Sequence, residues 1–121
     1  MTNKLLVTVT VGENDPEKAT VAFNMAATAV VSGMEVIVAC SAEGVELGIN
    51  NGAAEGITVD KMPPLVELMD TFFEGGGKMI VCTPCFAKRG YQEQDLREGA
   101  ILAGAAKVVE FLSEGAATMS F

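Results

Sequence analysis

The sequence predicts an α/β fold, a single doubly wound and mainly parallel sheet of about five strands with helices on both faces. Short apolar, β-branched segments at residues 4–11, 35–40 and 78–82 read as strands. They alternate with longer segments that carry helix start and stop signals. This alternation is typical of parallel sheets with right-handed crossovers. We therefore expect residues 1–121 to form one domain.

The first helix is predicted from its two ends. Asp15 is a suitable N-cap, Pro16 fits the first helical position, and Ser32-Gly33 ends the helix at about Val31. Beyond the first turn the polar residues form one thin stripe, so most of the surface is apolar. A helix on a sheet needs one apolar face. We therefore expect a second buried face, in a subunit interface.

The middle of the chain is less regular. After the strand at residues 35–40, Ser41 can cap a short helix through Leu47. Residues 53–63 read as irregular, with a possible extended piece at 57–59. A clean helix then follows Pro63-Pro64, because apolar residues recur at helical spacing. These residues are Leu65, Leu68, Met69, Phe72 and Phe73.

The last third of the chain is predicted as a polar connection, a helix and a strand. The connection covers residues 91–97, the helix residues 99–113 and the strand residues 116–121. The run of small residues at 103–106 would let another backbone approach this helix closely. Its polar side is again narrow, which favours a subunit contact like that expected for the first helix.

Composition excludes several functional classes. Sixteen acidic against eight basic residues give a net charge of −8, which argues against direct nucleic-acid binding. No segment reaches the ~20 apolar residues of a membrane span. Three cysteines, an odd number, make a secreted disulfide framework a poor interpretation. We expect a cytoplasmic protein with reduced thiols.

Most catalytic machinery is missing from the sequence. There is no histidine, which removes Ser-His-Asp and Cys-His activation of a nucleophile. The phosphate-binding GxxxxGK[ST] and GxGxxG motifs are absent. A structural zinc site needs four cysteine or histidine ligands, and the chain offers three cysteines. We predict no metal and no cofactor.

The segment from Cys82 to Gly90 holds the main cluster of reactive groups. Cys82 ends a predicted strand, where open α/β sheets place their ligands and reactive groups. Pro84 suits a helix start, and Lys88 and Arg89 bring positive charge, which lowers the pKa of a thiol. Three interpretations stay open: two buried hydrophobic thiols, a C-x-x-C dithiol with Cys85, or one nucleophilic cysteine that carries sulfur. Cys40 is expected in the core.

The chain resembles the DsrE/DsrF-like sulfur-relay proteins, whose members pass sulfur during tRNA thiolation and dissimilatory sulfur oxidation. The resemblance covers essentially the whole chain and depends on the order of its motifs. These are Asp15-Pro16, Glu43-Gly44-Val45, a cysteine seven residues before Arg89-Gly90, and the segment 98–106 before the final strand. It implies a Rossmann-like or flavodoxin-like domain, a homo-oligomer (trimer or hexamer), and sulfur donor and acceptor proteins as partners.

The resemblance also implies roles for particular residues. Cys82 occupies the position of the sulfur-accepting cysteine, so we predict a persulfide there and a possible sulfurtransferase activity. Cys85 is an addition relative to the best-known members, which keeps dithiol chemistry open. The rival hypothesis is a non-catalytic oligomeric module that binds a small ligand or a partner at this sheet edge. The predicted ligand-binding residues are Gly12, Ser41, Thr83, Pro84 and Arg89.

Overall fold

A parallel sheet organises the chain, seen in a computed structural model that describes residues 3–121. Within these residues the strands are β1 (Lys4–Val9), β2 (Glu35–Cys40), β3 (Lys78–Cys82), β4 (Ala100–Ala103) and β5 (Ala117–Ser120). The α-helices are α1 (Pro16–Val31), α2 (Leu65–Glu74), α3 (Thr83–Lys88) and α4 (Ala105–Ser113). Short 3₁₀ turns cover Ala42–Gly48, Ala53–Gly56 and Glu93–Asp95. The strand order is β4-β3-β2-β1-β5 and every pair is parallel, as predicted.

The first face of the sheet carries the larger core. Alternate strand residues such as Val7, Val38 and Val81 are fully buried there beneath α1 and α2. Phe23 of α1 and Phe72 of α2 meet edge to face, with ring centroids 5.7 Å apart. Both helices begin and end where the sequence predicts, because the Lys18 N–H donates to the Asp15 carboxylate and Gly76 takes a positive φ after α2.

The second face of the sheet has a much smaller core. Leu6, Ile37 and Ile80 are buried against Phe111 of α4. Among the described elements, α4 is the helix on this face, and its nine residues cannot cover the whole sheet. Helices therefore lie on both faces, but the second face leaves a cavity at the carboxyl ends of the strands.

The apolar surface of α1 is used within the chain. Ala22, Phe23 and Ala26 are fully buried between the sheet and α2, so the second buried face that we expected in a subunit interface is an internal contact. Even Thr20 of the polar stripe is fully buried, with its hydroxyl donating to the Pro16 carbonyl at 2.7 Å. Contacts within the chain therefore bury most of the apolar surface of α1 that we expected to lie in a subunit interface.

The predicted helix over residues 99–113 is wrong at its start. Residues Ala100–Ala103 form strand β4, and α4 begins only at Ala105. Local composition favours helix for Ala-Ile-Leu-Ala, but the ladder with β3 supplies its backbone partners, and this tertiary pairing overrides the propensity. Gly104 separates the two elements as the N-cap of α4.

The extended piece predicted at residues 57–59 is also not a strand. A 3₁₀ turn at Ala53–Gly56 precedes it, and Ile57 is buried while its carbonyl accepts the Leu65 N–H at 3.1 Å. The fifth strand is β4 instead. The first strand ends at Val9 rather than at residue 11, and the short helix predicted up to Leu47 is the 3₁₀ turn Ala42–Gly48.

None of the helices within residues 3–121 is long and apolar enough to cross a bilayer.

Candidate functional site

Cys82 lies where two connections leave the sheet in opposite directions. It is the last residue of β3 and pairs with Ala103, the last residue of β4. The chain after β3 enters α3, whose Phe86 packs into the core of the first face. The chain after β4 enters α4, whose Phe111 packs on the second face. Such a divergence between neighbouring strands is where open parallel sheets form their binding crevices.

Two thiols meet at this position. Cys82 and Cys85 are both half-buried and reduced. The side chains of Cys82 and Cys85 share a hydrogen bond, and the Cys85 backbone N–H donates to the sulfur of Cys82. A third donor, the backbone N–H of Ala42, points at the sulfur of Cys85. The two thiols therefore titrate as one coupled pair.

The environment stabilises negative charge on Cys85 rather than on Cys82. The Ala42 N–H and then the Cys82 thiol lower the pKa of Cys85, with smaller contributions from Arg89 and Lys88. Burial and the hydrogen bond to Cys85 raise the pKa of Cys82. The basic residues predicted to favour a Cys82 thiolate thus act mainly on Cys85. Within the coupled pair, Cys85 therefore loses its proton at lower pH than Cys82 does.

Ala42 donates from an unusual backbone conformation. Its φ is +50°, in the left-handed region that non-glycine residues rarely occupy. The neighbouring 3₁₀ turn packs tightly on β1: a Cβ at Gly44 would lie 2.2 Å from the Val9 carbonyl oxygen. The Ser41 N–H donates to the same oxygen at 3.0 Å. These contacts hold the Ala42 N–H towards Cys85.

Arg89 joins the 3₁₀ turn to α3. Its guanidinium lies 3.2 Å from the Glu43 carboxylate and 3.5 Å from that of Glu46. It also donates to the Cys85 carbonyl at 3.1 Å. The Tyr91 hydroxyl donates to Glu46 at 2.5 Å, which raises the pKa of Tyr91 to about 12. Arg89 therefore ties the segment that carries Ala42 to the segment that carries Cys85.

The predicted ligand-binding residues other than Arg89 lie in three different settings. Ser41 lines the cavity beside Cys82, and its side chain makes no capping bond to the turn that follows. Thr83 and Pro84 are exposed in the first turn of α3. Gly12 is buried elsewhere, where a Cβ would lie 2.7 Å from the Glu43 carbonyl oxygen. Gly12 thus serves close backbone packing, and its role as a ligand contact stays a prediction.

Cys40 is a core residue, as predicted. It is 1% exposed, and burial raises its pKa to about 12. Its thiol therefore stays protonated in the range where the Cys82 and Cys85 pair reacts.

Sequence reasoning missed several residues of the site. The Ala42 N–H carries no signal in the side-chain sequence, although Gly44 two residues later indicates close backbone contact. Glu46, the ion-pair partner of Arg89, lies 43 positions before it, and Tyr91, whose hydroxyl donates to Glu46, lies 45 positions after Glu46. Both contacts therefore depend on the tertiary fold. The cavity wall from Ala103 to Val109 was not predicted, because the sequence was interpreted as one continuous helix without a break between β4 and α4.

Comparison with solved structures supports the fold. A protein of unknown function from Methanobacterium thermoautotrophicum, MTH1491, superposes with a TM-score of 0.77 at 14% identity, covering 98% of each chain. The ychN protein of E. coli superposes with a TM-score of 0.77 at 13% identity, covering 100% of each chain. At such low identity these likenesses show a shared doubly wound α/β fold alone.

Comparison of sequences identifies the family. An uncharacterised protein of Methanopyrus kandleri, MK0008, is 33% identical over 111 residues, which cover 90% of this chain and 88% of the relative. A second uncharacterised protein, MJ0989 of Methanocaldococcus jannaschii, is 31% identical over 118 residues, which cover 98% of this chain and 99% of the relative. The profile of the DsrE/DsrF-like family matches residues 3–121, so the chain belongs to the DsrE/DsrF-like family.

Proposed function

We propose that this protein is a sulfur-relay protein that carries sulfane sulfur as a persulfide on Cys82, with Cys85 as its partner thiol. The observation that carries the proposal is the pair of hydrogen-bonded thiols at the β3–β4 divergence, one of which has a lowered pKa. Membership of the DsrE/DsrF-like family supports it, because Cys82 holds the position that the resemblance assigns to sulfur transfer.

In the loading step Cys82 is the nucleophile and Cys85 accepts its proton. The sulfur of Cys82 attacks the terminal sulfur of a donor persulfide, R–S–SH, and the Cys82 proton passes to the Cys85 thiolate. The donor S–S bond breaks, and the thiolate R–S⁻ leaves with the electron pair. The products are a Cys82 persulfide, a Cys85 thiol and the donor thiolate, so atoms, charge and electrons balance without an added oxidant.

Unloading follows the same chemistry in reverse. An acceptor thiolate attacks the outer sulfur of the Cys82 persulfide and takes it together with its hydrogen, and Cys82 leaves as a thiolate. Cys82 then takes its proton back from the Cys85 thiol, which restores the starting state of the pair. The Ala42 N–H remains available to Cys85 throughout. The reaction requires a donor and an acceptor, and we propose partner proteins for these roles.

Dithiol redox chemistry is a second candidate, favoured by the direct S–H···S contact. Once Cys82 carries the extra sulfur, the Cys85 thiolate can attack the inner sulfur of Cys82. That step forms a Cys82–Cys85 disulfide and expels HS⁻. A reductant of the dithiol class would then be needed to restore the pair.

Mass mapping after incubation with cysteine persulfide separates these functions. A sulfur carrier gains one sulfur atom on Cys82, and Cys85→Ser slows the gain because the proton acceptor is lost. A dithiol protein accumulates a disulfide in the wild type and a persulfide only in Cys85→Ser. Cys40, buried and with a pKa of about 12, is the internal control that stays unloaded.

Two outcomes would contradict the relay. If Cys82→Ser is still loaded at the wild-type rate, Cys82 is not the residue that carries the sulfur. The absence of any loading in the wild type would favour the rival hypothesis, an oligomeric binding module whose cysteines take no part in chemistry.

We further propose that the protein works in the cytoplasm as a homo-oligomer, a trimer or hexamer. Three unpaired cysteines among the described residues support a reducing compartment. Exposed apolar residues on β4 and α4, namely Ile101, Val109 and Leu112, support a subunit contact on the second face. The net charge of −8 gives no support to direct nucleic-acid binding.

A further inference from the structure

A cavity of about 270 Å³ opens beside Cys82 on the second face of the sheet. It exists because α4 covers this face incompletely and because β3 and β4 end in connections that diverge. Its wall combines the carboxyl ends of the strands with the first two turns of α4. The lining residues are Thr8, Ala39, Cys40, Ser41, Ile80, Cys82, Ala103, Gly104, Ala105, Val108 and Val109.

The wall of this cavity is almost entirely apolar. Its polar groups are the sulfurs of Cys40 and Cys82 and the hydroxyls of Thr8 and Ser41. The Thr8 hydroxyl already donates to Ser120 at 2.9 Å. Within residues 3–121, the residues that line the cavity include none that carries a charge. The cavity therefore offers hydrophobic contact on one side and a reactive sulfur on another.

The electrostatic surroundings disfavour an anionic ligand. The chain carries a net charge of −8. Arg89, the cation whose charge acts on both thiols, is already engaged by Glu43 at 3.2 Å and by Glu46 at 3.5 Å. A carboxylate placed in the cavity would lose its water without gaining a cation, which is strongly unfavourable.

We propose that this cavity binds the uncharged, apolar organic group of a small thiol or persulfide and holds its sulfur against Cys82. An engineered apolar cavity of about 150 Å³ accommodates benzene, so the present one has room for a benzyl group or a short alkyl chain. The inference rests on the proposed function and assigns one side of the relay, donor or acceptor, to a small apolar molecule, while a partner protein serves the other side.

Binding is tested first, without any sulfur chemistry. The Cys82→Ser variant is titrated with benzyl methyl sulfide, an uncharged thioether, and with its para-carboxylated analogue, while the methyl resonances of Val108 and Val109 are followed by NMR. We expect saturable shifts with the uncharged probe and at least tenfold weaker binding of the carboxylate. Ala103→Val, introduced beside Cys82→Ser, should weaken binding of the uncharged probe, because Ala103 lines the cavity.

A matched control is available on the opposite edge of the sheet. Ala117→Val makes the same change in β5, at an exposed position, and should leave probe binding unchanged. No saturable binding by the uncharged probe, or equal binding of both probes, would overturn the proposal. The first result would also be expected if a neighbouring copy of this chain filled the cavity.

Loading kinetics then connect the cavity to the reaction. With Cys82 intact, benzyl persulfide should load the protein at least tenfold faster than cysteine persulfide, and Ala103→Val should bring this ratio towards one. Equal rates from the two donors would overturn the cavity proposal while leaving the sulfur-relay function standing. Probe binding without loading from either donor would support the ligand class and overturn the relay instead.

Discussion

Ala42 shows how a single backbone group sets the chemistry of a thiol. A φ of +50° costs an alanine roughly 1–2 kcal/mol relative to ordinary conformations. The tight contact of Gly44 with Val9 and the bond from Ser41 hold the residue in that state. The result is a fixed N–H aimed at Cys85, and strain retained in this way is common at functional sites.

Arg89 should matter more for the reactivity of Cys85 than Lys88 does. Both cations lower the pKa of Cys85, and Arg89 is the stronger contributor. Removing a cation raises the pKa, so the pH profile of alkylation by iodoacetamide moves to higher pH. We expect a larger shift for Arg89→Gln than for Lys88→Gln, measured on Cys85 by peptide mapping.

Comparing Arg89→Gln with Lys88→Gln controls for net charge, because each substitution removes one positive charge and the two positions are adjacent. Arg89 also ties Glu43 and Glu46 to α3, so its loss additionally loosens the Ala42 donor. Equal shifts for the two variants would mean that long-range charge alone, and not this network, controls Cys85.

At the scale of elements, the turn Ala42–Gly48 depends on the absence of a side chain at Gly44. A Cβ there would lie 2.2 Å from backbone oxygen, so Gly44→Ala should lower the free energy of unfolding by about 1–3 kcal/mol. It should also raise the pKa of Cys85, because the turn that carries the Ala42 N–H must move. Urea denaturation and thiol alkylation measure the two effects.

Gly56 provides the matched control for this substitution. A Cβ at Gly56 meets nothing within 4 Å, and its φ is not positive. Gly56→Ala should therefore be neutral or stabilise the protein by about 0.4–1 kcal/mol through the unfolded chain. A Gly44→Ala protein as stable as Gly56→Ala would contradict the tight packing described for this turn.

Local signals in the sequence predicted the elements whose ends are marked by caps and glycines. The helices α1 and α2 have Asp15 or Pro64 at their start and glycines after their end, and the strands β2 and β3 are continuous apolar segments. Strand β4 could not be recognised in this way, because Ala-Ile-Leu-Ala has the composition of a helix. It becomes a strand through its ladder with β3.

The site was predictable in its side chains and not in its backbone. Cys82 at a strand end, Cys85 at C-x-x-C spacing and the nearby Arg89 follow from sequence order alone. The division of charge between the thiols depends on the Ala42 N–H, which reaches Cys85 from a segment more than 40 residues away. No pattern of side chains encodes that contact.

At the scale of the whole molecule, the two faces of the sheet are unequal. The first face is closed by α1 and α2, whereas the second carries α4 and exposes Ile101, Val109 and Leu112 to 46%, 59% and 38%. These are three of the five large apolar residues exposed within residues 3–121; the other two, Met25 and Val31, lie on α1. Exposed apolar surface of this kind is typical of a subunit contact. Light scattering at micromolar concentration should therefore give a mass of three or six times 12.6 kDa.

Charge on the exposed cluster should disrupt this assembly. We expect Val109→Asp and Leu112→Asp to reduce the mass towards the monomer, because a carboxylate buried in an apolar contact is unfavourable. Val31→Asp is the control: Val31 is 73% exposed on α1, on the other face of the sheet. A monomeric wild type, or equal dissociation in the control, would contradict a contact through α4 and β4.

The thiol pair itself offers the most direct test of the account. The ultraviolet absorbance of the thiolate is measured as a function of pH in the wild type, Cys82→Ala and Cys85→Ala. Cys40 does not contribute, because its pKa of about 12 keeps it protonated. We predict that the first thiolate of the wild type forms on Cys85, with a pKa below that of an ordinary cysteine. The Cys85 that remains in Cys82→Ala should titrate at lower pH than the Cys82 that remains in Cys85→Ala, because the Ala42 N–H still lowers the pKa of Cys85 and burial still raises that of Cys82. It should also titrate above the first wild-type step, because the hydrogen bond from Cys82 is lost. The reverse order, with the lower pKa remaining in Cys85→Ala, would contradict the account.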